Sequence, residues 1–370
     1  MLICAVVAGL AGGFAARFRS WGTSLGDLAV GLLTAALFST VVVVILVLWA
    51  DLNRFGFIHY VYLLVVVTFP IGVALISAPH LLNAEYKTPI IVWPLVVAAV
   101  GAIVFGVWGT HFEPDRLLVE ERVLSAAGAT QPLLIGVIAD LQTPNIGDYE
   151  NNARDRVLAA EPDVVVLPGD LYQLAEADLE ARLPEFLGWI RELRSSVDDV
   201  VLVNGTVDDP EVLAEIADET GIHFLNDELL TLDIAGQDVT FVGLSVQPDE
   251  DESQISPLVT AALVEATRSS DLVIAVGNDP DTVLSYPTET TIDLTISGGT
   301  HGGQVALPVI RSVFARSDLP AQVAAGGLHL LNDHPLYVST GVGIEREQAP
   351  QLRFRVRPSV GLLTVVPPDS

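Results

Sequence analysis

His301 lies within Gly298-Gly299-Thr300-His301-Gly302-Gly303-Gln304, where a side chain able to bind a metal or move a proton near neutral pH sits among glycines that permit close backbone approach. Other polar residues follow apolar runs in the same way. Asp140 follows the run 133–139, Pro168-Gly169-Asp170 follows 164–167, Asn204-Gly205 follows 200–203, and Gly277-Asn278 follows 272–276. Carboxylates, an amide and an imidazole on one rim are donor types that hold a divalent cation, and two carboxylates sharing a rim repel each other enough to favour one. Taken singly, each Asp also reads as a turn or helix cap, and the histidine as a structural loop residue.

The apolar runs, and the alternating run 292–297, are rich in β-branched residues and read as strands. Helix-like sequence at 152–160 and 179–193 separates them, which is the alternation of a layered α/β protein. Ligands in such proteins gather beyond the carboxyl ends of the strands, so Asp140, Asp170, Asn278 and His301 are expected on one rim. Asp208 and Asp279 read either as neighbours of that rim or as solvated acids. The run 117–124 reads as an edge strand, and 247–256 as an exposed acidic loop before a helix at 257–266. His329 and His334 read as ordinary loop residues, and His59, His80 and His111 as interfacial residues at the ends of apolar spans.

In order along the chain, Ile138-Ala139-Asp140-Leu141-Gln142, Pro168-Gly169-Asp170, Gly205-Thr206-Val207-Asp208, Asn278-Asp279-Pro280-Asp281 and the Gly298 to Gln304 stretch resemble the motifs of the calcineurin-like metallophosphoesterases. That family's pattern is Asp-x-His, Gly-Asp, Gly-Asn-His-Asp, a His before Asn-Pro-Asp, and Gly-His-Thr-His-Gly-Gly-Gln. The resemblance covers residues 112–366 and extends to the late stretch 335–343. It points to the membrane-attached bacterial and archaeal branch, and implies a two-sheet β-sandwich flanked by helices, with metal-assisted hydrolysis of a phosphate ester as its chemistry.

Carried over residue by residue, the resemblance implies a damaged site. The first metal position falls on Asp140, Gln142, Asp170 and His301, where Gln142 replaces a histidine but still offers a neutral oxygen to a hard cation. The second position falls on Asp170, Thr206, Asn278 and Gly299, of which only the bridging Asp170 is unaltered. Thr206 and Asn278 are weak remnants. The histidine thought to assist the leaving group falls on Val207, which cannot transfer a proton. Anchoring the loop on Asn204 regains an amide but puts Gly205 at the histidine. Two-metal hydrolysis needs one ion for the attacking water and another for the leaving side. The expectation is therefore one divalent ion (Mn, Fe, Zn and Mg are all compatible), with Asp170 and His301 as the candidate catalytic residues. The alternative is a metal-free, inactive relative that binds a ligand or partner through the old cleft.

Residues 1–110 form a separate region, with apolar stretches at 2–16, 28–50, 56–78 and 88–109. The last three are long enough to cross a bilayer and the first is short, so about four α-helical spans are expected before a linker or edge strand at 111–131 and the phosphoesterase-like domain at 132–370. Arg17 and Arg19 between the first two stretches favour a cytoplasmic first connection, which puts the carboxyl-terminal domain of a multi-pass membrane protein outside the cytoplasm. One cysteine, Cys4, excludes an intrachain disulfide. The spans hold almost no internal charge to line a pathway, which ranks a transporter last.

Residues 112–370 carry 43 acids against 14 bases, and no lysine occurs after Lys87. Such a surface opposes nucleic acid and anionic headgroups, and resembles proteins of salt-loving microbes, where screening relieves self-repulsion. The partners expected are the lipid bilayer and a phosphate ester or lipid-linked substrate, with no nucleic acid.

Overall fold

The computed structural model describes residues 1–20, 25–49, 52–82, 90, 92–245, 272–287, 290–307, 311–312 and 317–368. The expected loop 247–256 and helix 257–266 lie outside the described residues. The chain divides into two compact units, Met1–Phe112 with Glu345–Leu352, and Glu113–Ile344 with Arg353–Ser370.

The first unit is helical. Helix α1 spans Leu2–Ser20, α2 Leu25–Trp49, α3 Arg54–Leu63, α4 Phe69–Leu82 and α5 Val92–His111. A π-helical turn, Leu64–Thr68, joins α3 to α4, so they run on as one long apolar segment. Val30–Leu48, Arg54–Ala78 and Val92–His111 are long and apolar enough to cross a membrane, whereas Leu2–Ala16 is a shorter apolar helix. Three of the four expected spans therefore have bilayer length, since a helix rises about 1.5 Å per residue against a core of about 30 Å. The short first helix packs closely instead: a Cβ at Gly12 would lie 2.9 Å from the Gly31 carbonyl oxygen, and the Thr68 hydroxyl donates to Ala5 O at 2.6 Å. Small residues let backbones approach in this way.

The second unit is built on two six-stranded sheets and a two-stranded pair, β10 (Ala306–Leu307) with β11 (Arg311–Ser312). In the first, β1 (Leu118–Ser125), β14 (Ser359–Val366), β2 (Leu133–Val137), β3 (Val164–Leu167), β4 (Val200–Val203) and β5 (His223–Leu225) lie side by side. In the second the order is β12 (Gly327–Leu331), β13 (His334–Val338), β9 (Leu294–Ser297), β8 (Leu272–Gly277), β7 (Gln237–Leu244) and β6 (Leu229–Ile234). The run expected as an edge strand forms β1, which pairs in parallel with β14.

Alternation along the strands explains the layers, because successive side chains point to opposite faces. Leu133, Ile135, Val137, Val164, Val166, Val201 and Val203 meet Val239, Phe241, Leu272, Ile274, Val276, Leu294 and Ile296 in one core between the sheets. The intervening Val165, Leu167, Val200 and Leu202 pack with Val157, Phe186, Ile190, Leu193, Leu213 and Ile216. Those partners come from helices α6 (Asp148–Leu158), α7 (Glu176–Ser196) and α8 (Pro210–Thr220). The result is a two-sheet sandwich flanked by helices, as the sequence resemblance implied.

His329 and His334 depart from the expected loop roles. They lie on β12 and β13, joined by a two-residue turn in which Asn332 and Asp333 take φ of 48° and 66°. Asn and Asp tolerate this left-handed turn, whose twist matches that of a hairpin. His329 Nε2 pairs with Gly326 O at 3.0 Å, and the His334 ring meets Tyr286 edge-on at 5.6 Å.

Candidate metal centre

Strands β2, β3 and β4 are parallel neighbours, as are β7, β8 and β9, so their carboxyl ends point the same way within each sheet. Asp140 and Gln142 lie after β2, Asp170 after β3, Thr206 after β4, Asn278 directly after β8 and His301 after β9. Asp140, Gln142, Asp170 and His301 have φ of 46°, 39°, 52° and 48°. L-residues avoid this region, at a cost of about 1–3 kcal/mol each, and such strain persists where surrounding structure holds it in place, most often at functional rims. All four residues assigned to the first metal position thus share one unusual backbone state.

Hydrogen bonds join the ends of the two sheets. The Asn278 side-chain amide donates to Asp140 Oδ1 at 3.1 Å and to Pro168 O at 3.0 Å. The Gly299 amide donates to both Asp140 oxygens, at 2.9 and 3.0 Å. The Gln142 amide donates to Asp170 O at 2.8 Å, tying the loop after β2 to the loop after β3. Asp170 Oδ1 accepts from the Val207 amide at 3.1 Å and the Thr206 hydroxyl at 3.4 Å. Asp140 is thereby brought together with Asn278 and Gly299, and Asp170 with Thr206 and Val207. Thr206 itself is exposed, while Asp140, Gln142, Asp170, Asn278 and His301 are buried.

The position where the family pattern has its first paired histidine has closed over. Gly299 takes a φ of 74°, and a Cβ there would lie 2.7 Å from Asn278 O and 3.0 Å from Asn278 Oδ1. Gly205 is tighter still, since its Cβ would overlap Asp170 Oδ1 and the Asp170 amide and lie 2.7 Å from Cγ. Neither position leaves room for a ligand side chain.

Two residues given little or no part by the sequence shape this rim. Asp208 accepts from the amides of Gly205 at 2.9 Å, Leu171 at 2.9 Å and Tyr172 at 3.4 Å, lacing the loops after β3 and β4. Burial pushes its carboxyl up to about 6, and these amide bonds pull the other way. Arg353 is wholly buried. Its Nε donates to Gly343 O at 3.2 Å, and its Nη2 to Thr340 O at 2.8 Å, Gly341 O at 3.1 Å and Gly343 O at 2.6 Å. Nη2 also lies 3.3 Å from His301 Nδ1. Burial, and then the Arg353 charge, hold the His301 imidazole down at about 3. Burial lowers Arg353 to about 10, with Tyr149, Asp140 and Glu113 acting in the opposite sense. No pattern of spacing marks Arg353, because its partners are main-chain carbonyls. Asp279, by contrast, is a cap, accepting from the Asp281 amide at 2.9 Å.

Among the described residues no three His, Cys, Asp or Glu side chains form a group that could hold a metal ion. The bonding explains this: amides engage both Asp140 oxygens, and a guanidinium faces His301 Nδ1. In this arrangement the residues do not fit a metal without rearranging. His301 Nε2 and Asn278 Oδ1 are nonetheless buried polar atoms with no hydrogen-bond partner among the described residues.

No family model matches the chain. An uncharacterized metallophosphoesterase, YkoQ, of Bacillus subtilis (strain 168) is 24% identical over 240 residues, covering 63% of this chain and 83% of its own. Among solved structures, the phosphopantetheinyl hydrolase of Mycobacterium tuberculosis matches at 12% identity and a TM-score of 0.31, over 56% of this chain and 89% of that one. A dimetal phosphatase from Danio rerio matches at 11% identity and a TM-score of 0.36, over 57% and 88%. The motif order and the two-sheet sandwich are thus those that the resemblance to calcineurin-like metallophosphoesterases implied, and the chain is similar to a Bacillus metallophosphoesterase over 63% of its length.

Proposed function

We propose that this chain is a membrane-anchored member of a phosphoester hydrolase family in which two-metal hydrolysis has lapsed, and that the old cleft is kept to bind a ligand bearing anionic oxygen, such as a phosphate ester held near the bilayer. The closure at Gly299 carries this proposal, since a side chain there would run into Asn278 and the glycine amide instead occupies Asp140. Val207, at the place of the leaving-group histidine, offers only its main-chain amide to Asp170. Asp140, Gln142, Asp170 and His301 are then what is left of the first metal position, and Thr206 and Asn278 of the second.

A second reading keeps one divalent ion at the first position. The partnerless His301 Nε2 and Asn278 Oδ1 favour it, because buried polar atoms rarely go without a partner. Metal analysis beside a phosphodiesterase assay, on the full chain in detergent and molar salt, separates the two. Turnover near background, equal in Asp170→Asn, is expected. Vigorous hydrolysis that Asp170→Asn abolishes would overturn the proposal, and about one bound ion per chain, lost in His301→Ala, would favour the second reading.

The three long apolar helices support a multi-pass protein of the cell membrane. With Arg17 and Arg19 on the cytoplasmic side, three crossings put the carboxyl-terminal unit outside, whether or not α1 crosses. The acidic surface further supports a high-salt setting.

A further inference from the structure

We propose that residues 345–352 form a strap in which Gln348 completes the N-terminal cap of helix α3, and that the strap passes a shift of this apolar segment along the chain to the rim at Gly343 and Arg353. This goes beyond the proposed ligand-binding role and does not depend on it.

The cap is incomplete without Gln348. Asn53 caps α3, its side chain accepting from the Gly56 amide at 2.9 Å. In a full capping box the third helical residue answers with a Glu or Gln side chain, which accepts from the amide of the cap residue. Helix α6 has that answer within its own sequence, where Glu150 accepts from the Gly147 amide at 2.9 Å. In α3 the third residue is Gly56, which has no side chain to offer. The Asn53 amide donates instead to Gln348 Oε1 at 3.0 Å, across 295 residues of chain. The two solutions compete for one place, since a Cβ on Gly56 would overlap Gln348 Oε1, as well as the end of the Leu52 side chain. One turn further on, His59 Nδ1 lies 3.2 Å from the Gln348 carbonyl oxygen, to which it can only donate.

The strap springs from the rim. Residues 345–352 belong to the same compact unit as α3, whereas Ile344 before them and Arg353 after them belong to the other. At the first foot the Val342 amide donates to Ala139 O at 3.0 Å, and the Gly343 amide to Asp140 O at 2.7 Å. At the second, Arg353 Nε and Nη2 donate to the Gly343 carbonyl at 3.2 and 2.6 Å, which fastens the two feet together. The result is a short loop with its ends joined, a form that often carries function. Glu347, beside the tip, is held at a φ of 52°, and Ala349 and Leu352 are buried. Backbone strain of this kind persists only where contacts hold it, so losing the contact at Gln348 lets the loop relax, and Gly343 is where that relaxation first meets the rim.

The test is amide hydrogen exchange on the full chain in detergent and molar salt. In Gln348→Ala, exchange should quicken by about fivefold at Asn53 and along 345–352, the loss of one uncharged hydrogen bond, and by at least about twofold at Val342 and Gly343. Gln348→Glu, which keeps the acceptor, should stay within about twofold of the parent at all these places. Gly56→Gln lets the helix supply its own box. Asn53 should then stay protected while 345–352, Val342 and Gly343 quicken as in Gln348→Ala, an outcome that loss of the cap alone cannot produce. Should Gly56→Gln fail to fold, the contrast between Gln348→Ala and Gln348→Glu decides. Unaltered exchange at Asn53 in Gln348→Ala would remove the shared cap, and unaltered exchange at Val342 and Gly343 would remove the link to the rim. Either result, or a Gln348→Glu protein that behaves as Gln348→Ala does, would overturn the proposal.

Discussion

Substituting Gly205 by alanine tests whether the contact between the loops after β3 and β4 is as tight as the site requires. The added Cβ would overlap the Asp170 carboxylate oxygen and its main-chain amide, and would lie 2.7 Å from Asp170 Cγ. A side-chain rotation cannot relieve this, because the amide is part of a backbone already at a φ of 52°. Overpacking of this kind costs about 1–3 kcal/mol. Displacing Asp170 also breaks its bond from the Val207 amide, at 3.1 Å, for about 1–2 kcal/mol more. The sum, about 2–5 kcal/mol, corresponds to a fall in Tm of roughly 4–20 °C for a domain of this size. The control is Gly188→Ala within α7, where a Cβ meets nothing within 4 Å. Relief of glycine's backbone entropy should stabilise it by about 0.5–1 kcal/mol. Thermal unfolding of both variants in detergent and molar salt compares one chemical change at two places. Equal effects, or a Gly205→Ala protein within about 0.5 kcal/mol of the parent, would refute the close packing on which the closed rim depends.

Asp208 gives a pH signature. Its folded carboxyl is raised from 3.8 to about 6, so the native state holds a proton that the unfolded chain releases, and stability falls as pH rises through that window. The group is only half-buried, so the drop is of order 1–3 kcal/mol after allowing for solvent. In Asp208→Asn the slope between those pH values should flatten, and an unchanged slope would remove Asp208 as its cause. Gly299→His restores the residue type of the family motif, yet it should bring back neither a second ion nor diesterase turnover, because Asn278 fills the space. Two bound ions per chain by metal analysis would contradict that. Raising KCl from about 0.1 M to 3 M shortens the screening length from about 10 Å to below 3 Å. Melting of the acidic second unit should therefore move to higher temperature, and a Tm that is flat or falling would count against self-repulsion as its main liability.

Much of the fold was legible because it rests on periodicity. Val164–Leu167, Val200–Val203 and Leu272–Gly277 are short, fully buried, β-branched strands, and a run of that kind has few other places to go. The apolar stretches of the amino-terminal region were equally plain, three of them of bilayer length and the first shorter. The strand expected at 292–297 begins at Leu294, because Asp293 is spent on main-chain amides, accepting from Gly128 and Val273. His329 and His334 were misplaced since the Asn332-Asp333 turn that joins their strands is only two residues long.

By itself the sequence determined the layered α/β alternation, the order of its loops, the acidic composition and the residue types on the rim, because all of these depend on local pattern or simple counting. The two-sheet sandwich was what the family resemblance implied. Set against the family's motifs, the resemblance implied which ligand types are missing at Thr206, Val207 and Gly299. Only the tertiary structure decided what became of the space they left. The Gly299 amide and the Asn278 amide engage Asp140, and Arg353, which belongs to none of the motifs, enters the buried rim and faces His301. The physical reason is that the direction of a hydrogen bond is set by which groups meet in three dimensions. The neighbour that His301 Nδ1 meets, Arg353 Nη2 at 3.3 Å, lies across 52 residues of chain and not among the glycines beside it.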